Sequence, residues 1–186
     1  MIVNSSSISG TAGSLDFNFN PGPLVTQAAS LQILNFASDG SLAGGPALTG
    51  DVAGTLPATL AFDNGTGFND YFEGFTFGSV LSFQLSFYGP ALSAPDGVST
   101  SGSTFAFSMF SDAAGTVPVL TTDLTYGSAV TVDVNLDGTT TVTNASLETG
   151  FGPGSAVPEP TCTLPAAAFL ALAGLGVRRR RRGQPR

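Results

Sequence analysis

Apolar residues recur at every second position in several short runs of this chain. Leu15, Phe17 and Phe19 share one side of a strand, with Asp16, Asn18 and Asn20 on the other. Leu81, Phe83, Leu85 and Phe87 alternate with Ser82, Gln84 and Ser86, and Phe105, Phe107 and Met109 alternate with Ala106 and Ser108. Phe75 and Phe77 flank Thr76 in the same way. A period of two places successive side chains on opposite faces, so these runs predict half-buried strands of an antiparallel sheet. Leu24 to Phe36 keeps no single parity: Leu31 and Ile33 fit one face, Leu34 and Phe36 the other. A bulge or a short helix accounts for such a switch. Ala53 to Phe62 predicts another strand, interrupted at Pro57 and therefore at a sheet edge.

The last hairpin can be read more closely. Val130, Val132 and Val134 share a parity, Asp137-Gly138 marks a turn, and Val142 follows. A three-residue loop, Leu136-Asp137-Gly138, pairs Val132 with Val142 and puts glycine at the left-handed position that such loops require. A two-residue loop would instead pair Val134 with Thr141, and the three-residue loop is the predicted one.

Composition agrees with many short strands joined by turns. The 186 residues include 24 Gly, 12 Pro and 15 Phe. One all-β domain over residues 1–149 is expected, an antiparallel β-sandwich of jelly-roll-like form. Residues 150–157 read as a Gly/Pro linker. No internal repeat is apparent.

Charge then divides the chain. All 13 Asp and Glu lie before residue 161, and all six cationic residues are arginines after residue 177. Between them runs an apolar stretch, Thr161 to Val177, of 17 residues. About 17 apolar residues is the lower limit for a helix that spans a bilayer, and arginine side chains can snorkel to extend it. Leu164 to Val177 has no polar face, so a soluble amphipathic helix is the weaker reading. A single C-terminal transmembrane helix is expected, with Arg178, Arg179, Arg180, Arg181 and Arg182 held on the cytoplasmic side and the body on the other.

Pro158-Glu159-Pro160, the apolar run and the arginine cluster, in that order at the C-terminus, resemble the PEP-CTERM sorting signal of Gram-negative bacteria, here residues 158–186. The resemblance implies export, transient retention in the inner membrane, processing near Pro158, Glu159 and Pro160 by an exosortase, and a place at the cell surface or in the extracellular matrix, in biofilm and exopolysaccharide assembly. Leu15-Asp16-Phe17-Asn18-Phe19-Asn20-Pro21-Gly22 and Phe68-Asn69-Asp70-Tyr71 are similar to stretches of a short uncharacterised PEP-CTERM family, which implies no activity. Export also needs an N-terminal signal with basic residues and an apolar core. Met1 to Ser7 has neither, so the expected start lies upstream of Met1, or the sequence is a fragment.

Several chemistries are excluded by residue type. Without histidine there is no His-based triad and there are few zinc or haem sites. One cysteine, Cys162, permits neither an internal disulfide nor an iron–sulfur cluster, and it reads as a small residue at a helix start. An anionic body repels nucleic acid.

What remains is carboxylate, amide, hydroxyl and tyrosine chemistry. Asp63, Asn64, Asn69 and Asp70, with Glu73 nearby, gather hard oxygen donors in one glycine-rich stretch, which suits calcium as the only cofactor considered; the same residues are also ordinary turn formers. Asp133 to Gly138 matches half of a calcium loop but has Asn144 where a bidentate Glu belongs, and reads as a hairpin turn. Polysaccharide binding would draw on Tyr71, Tyr88 or Tyr126, of which Tyr88 shares the wet strand face with Gln84. The leading expectation is a non-enzymatic structural or adhesive protein with no catalytic residue. The alternative is a polysaccharide-binding module, with or without calcium, and a carboxylate glycoside hydrolase is more remote.

Overall fold

A computed structural model describes residues 1–146 and 148–150. These form β1 (Ile2–Asn4), β2 (Ala12–Pro21), β3 (Ser30–Ser38), β4 (Ser41–Leu42), β5 (Ala47–Thr49), β6 (Val52–Ala53) and β7 (Leu60–Asp63). They continue with β8 (Asp70–Thr76), β9 (Val80–Tyr88), β10 (Ser103–Phe110), β11 (Ser128–Val134), β12 (Thr140–Asn144) and β13 (Thr149–Gly150). The helical content among the described residues is a 3-10 turn, Ser6–Ile8, and one helical turn, Pro90–Ser93. None of their helices is long and apolar enough to cross a membrane. Most of the linker, the Pro158-Glu159-Pro160 motif, the apolar run and the arginine cluster lie outside the described residues.

The fold is all-β and its named strands pair antiparallel. One sheet runs β13-β1-β9-β3-β7-β6; the other runs β12-β11-β10-β2-β8-β4, with β5 also paired to β8. Inward residues of both sheets form one core. Leu15, Phe17 and Phe19 of β2 are fully buried, as are Phe105, Phe107 and Met109 of β10. Leu31 and Ile33 of β3 meet them from the other sheet, with Leu81 and Phe83 of β9. Phe17 sits at the centre: its ring lies 5.3 Å from Phe83 on the opposite sheet and 4.8 Å from Phe107 beside it. Edge-to-face packing of this kind adds to the burial of apolar area.

The parity switch in β3 is a bulge. Register slips between Leu34 and Ala37, where Asn35 takes a left-handed backbone with φ 54. Asparagine tolerates that conformation better than most residues. The slip turns Phe36 back toward the core, where its ring lies 6.4 Å from Phe75. The single strand expected over Ala53 to Phe62 is instead a hairpin of β6 and β7, with Pro57 in the connection, where it removes no ladder hydrogen bond. The last hairpin has the three-residue loop: Val132 pairs with Val142, the Asn135 N–H donates to the Thr139 carbonyl at 2.8 Å, and Gly138 has φ 81.

Candidate functional site

The polar side of β2 faces outward from the seven-stranded sheet. Because Phe17 and Tyr71 point inward, Asp16, Asn18 and Asp70 share the opposite face, with Asn18 directly across from Asp70 and Asp16 two residues along the same strand. The Asn18 Nδ2 donates to Asp16 Oδ1 at 2.6 Å. The Asp16 and Asp70 carboxyls stand on adjacent strands, close enough for Asp70 to perturb the ionisation of Asp16. The Asn18 Oδ1 and the Asp70 Oδ1 are closed off from solvent and have no hydrogen-bond partner. Buried polar atoms are nearly always paired, so two orphans in one cluster mark this as an unusual place.

No lysine, arginine or histidine precedes Arg178, so the described residues offer the two carboxylates no cationic side chain. Burial pushes the Asp16 carboxyl up to about 8, and the hydrogen bond and charge of Asp70 push the same way; the Asn18 amide only partly opposes them. Asp70 is also raised, by burial, while its hydrogen bond with Asp16 acts in the opposite sense. Both carboxyls are thus held above the usual carboxylate range, which favours a protonated form of the pair.

This gives a definite sign to the pH dependence. A carboxyl raised on folding binds its proton more tightly in the native state, so stability falls as pH rises from about 4 toward about 8. Asp39, Asp96, Asp112 and Asp137 run the other way. Backbone N–H donors lower the first two, and the Thr116 and Thr139 hydroxyls lead in lowering the others, so their contribution is lost only as pH falls below the usual carboxylate range. In EDTA, the melting temperature at pH 5 is expected to exceed that at pH 8 by on the order of 5 °C. Asp16→Asn is expected to flatten that slope; an unchanged slope in circular dichroism melts would show that the pair does not share a proton.

The five residues expected to gather around calcium do not converge. Asp63 ends β7, and its carboxylate accepts from the Ser30 hydroxyl. Asn64 accepts from the Ala29 N–H at 3.0 Å and donates to the Gln27 carbonyl and the Ser103 hydroxyl. Asn69 is buried; its oxygen accepts from the Asp51 N–H at 2.8 Å and from the Thr66 hydroxyl. Asp70 and Glu73 belong to β8 rather than to a loop, and they have opposite parity. Glu73 therefore lies on the core side, where it accepts from the Tyr71 hydroxyl and from the Gly44 N–H at 3.0 Å. Among the described residues no group of three or more His, Cys, Asp or Glu could hold a metal ion; the outer cluster consists of two carboxylates and an amide.

The three tyrosines also separate. Tyr71 is fully buried and cannot stack on a sugar. Its hydroxyl accepts from the Leu56 N–H at 3.1 Å and donates to Glu73, pinning the Ala43–Leu56 excursion to β8. Burial and the Glu73 bond raise its pKa above the ordinary tyrosine value. Tyr126 is 82% exposed in a loop. Tyr88 and Gln84 do share the outer face of the six-stranded sheet, where both are exposed and Gln84 accepts from the Asn35 amide at 2.8 Å.

Two cavities are small or apolar. One of about 10 Å³, lined by Thr26, Gln27, Ser101 and Asn135, has room for about one water. The other, about 260 Å³, is lined by Phe36, Leu42, Pro57 and Phe75. Neither is lined by a carboxylate. Glycoside hydrolysis uses carboxyls roughly 5–10 Å apart across a cleft, whereas Asp16 and Asp70 stand on an outward sheet face and line neither cavity.

The polar residues of β2 had a sequence signal that spacing alone did not decode. Asp16, Asn18 and Asn20 place three oxygen-bearing side chains in one row, but only the register between β2 and β8 brings Asp70 to them. The fold defines the chain as an all-β protein of two antiparallel sheets. No protein-family model, curated protein or solved structure matches it.

Proposed function

We propose that this chain is an exported surface or extracellular-matrix protein with a structural or adhesive role and no catalysis of its own, delivered by its C-terminal segment. The observation that carries this reading is the segregation of charge: 13 acids before the apolar run, six arginines after it. A bilayer-length apolar stretch ending in clustered arginines resists full translocation and leaves the acidic part outside. Pro158, Glu159 and Pro160 are the processing motif, Arg178 to Arg182 the stop, and the partners are the inner membrane and an exosortase. The path of the body supports a jelly-roll-like sandwich before the linker and transmembrane helix, because the chain crosses between sheets from β1 through β4 and again from β7 through β10.

The direct test changes Pro158, Glu159 and Pro160 to alanine in cells that process the protein. A larger, membrane-retained species on a gel is the expected result; a normal mature size would refute the assignment of the motif.

A polysaccharide-binding role is favoured by one observation. Tyr88 and Gln84 stand exposed on a strand face that also carries Ser82, Ser86 and, across the pair, Gln32. Amides, hydroxyls and one ring edge match the hydroxyl groups of a neutral glycan, and the anionic body disfavours acidic polymers. A glycan array separates the two roles: retention of neutral glycans that is lost in Tyr88→Ala supports binding.

A further inference from the structure

We infer that residues 43–56 are a strap that opens as one unit while the rest of the body stays folded, and that Tyr71 and Glu73 are the latch that ties its two ends together. The strap runs from the edge of one sheet to the edge of the other, with β5 paired to β8 and β6 paired to β7. Its attachment is mostly polar. From Ala43 to Thr55 no side chain is buried, Leu48 is 40% exposed, and Val52 packs against the core only partly buried. Leu56, at the far end, is the first buried side chain of the segment. By contrast β2 buries Leu15, Phe17 and Phe19 completely, and β10 buries Phe105, Phe107 and Met109. A segment that buries little apolar area and hangs on exposed backbone hydrogen bonds opens at a lower cost than core strands do. Both ends also have a place to turn. Gly45 and Gly54 hold φ of 70 and 95, and glycine resets its dihedrals without the clash that a Cβ brings.

The two ends meet on the core side of β8. Glu73 Oε1 accepts from the Gly44 N–H at 3.0 Å, at the first end. The Tyr71 hydroxyl accepts from the Leu56 N–H at 3.1 Å, at the second, and donates to the other Glu73 oxygen. Gly44 and Leu56 are thereby joined through two adjacent inward side chains of one strand. A separate tie holds the middle, where the Asp51 N–H donates to Oδ1 of the buried Asn69 at 2.8 Å. Glu73 is 3% exposed and the chain before Arg178 has no cationic side chain, so its buried oxygens depend on these donors. Linked hydrogen bonds polarise one another, so loosening either end weakens the other, and the strap releases both together. Opening bares the edge of β8 from Asp70 to Phe72, which β5 covers in the closed form. The latch therefore governs whether that edge has its backbone groups paired within the molecule or open to solvent.

The test is amide hydrogen exchange of the whole 186-residue chain in mild detergent, read by mass spectrometry. In the unaltered protein, amides of residues 43–56 are expected to exchange at least about 100-fold faster than those of β2 and β10, with little dependence on low concentrations of urea, because a local opening exposes little surface. If they exchange as slowly as β2 and β10, and only with global unfolding, the strap does not open separately and the inference falls. Tyr71→Phe removes one hydroxyl from a buried ring and keeps its shape. It is expected to speed exchange at both ends, around Gly44 as well as Leu56, by about 10-fold relative to β10. Glu73→Ala is expected to do the same from the opposite end. Acceleration in Tyr71→Phe that is confined to the Leu56 end, with Gly44 unchanged, would overturn the latch even if Glu73→Ala fails to fold. Each outcome is read within the body and is independent of the sorting tail.

Discussion

Replacing Arg178, Arg179, Arg180, Arg181 and Arg182 by serine is expected to release the protein from membrane retention. Each arginine costs on the order of 3 kcal/mol to place in the middle of a bilayer, so five in succession bar the C-terminus from following the body across. Serine is far cheaper to transfer, and Thr161 to Val177 is already at the short limit for a span. Without the stop, the segment slips through or inserts in mixed orientation. Fractionation should move the protein from the membrane pellet toward the soluble extracytoplasmic fraction, while Arg186→Ser alone leaves partitioning unchanged. Unchanged partitioning of the five-serine variant would remove the retention role of the cluster.

Phe17→Ala is expected to have the largest effect on the body. Phe17 is fully buried, bridges the two sheets through Phe83 and touches Phe107 on its own sheet. Removing a buried phenylalanine typically costs about 3–5 kcal/mol, from lost transfer energy and the cavity left behind. That is a large part of the roughly 5–15 kcal/mol that holds a domain together. Urea titration should show a midpoint lowered in proportion, or a chain that no longer folds. Phe68→Ala provides the contrast, since Phe68 is 54% exposed and its loss should stay within about 0.5 kcal/mol.

What could be read from the chain follows from what period two encodes. The long strands β2, β9 and β10 were legible because large apolar residues recur at every second position along much of each. The bulge at Asn35 could be narrowed only to a bulge or a helix, because the slip is defined against β9, which lies about fifty residues away. Strands β4, β5 and β6 have two or three residues each, too few for any period to show. In the expected calcium stretch, neighbours in sequence are not all neighbours in space: β8 sends Asp70 outward and Glu73 inward. The alternation Tyr71, Glu73, Phe75, Phe77 was present, but a glutamate on a core face breaks the apolar pattern by which strands are recognised; only the Tyr71 hydroxyl and Gly44 N–H make its burial tolerable. The approach of Asp16 to Asp70 spans a strand register that spacing along one chain does not contain.

Protease added to intact spheroplasts of the producing cells tests export most directly. Digestion of the body, with only a short arginine-bearing C-terminal fragment protected, is the expected result. A full-length protein that stays protected and fractionates freely with the cytosol would contradict it.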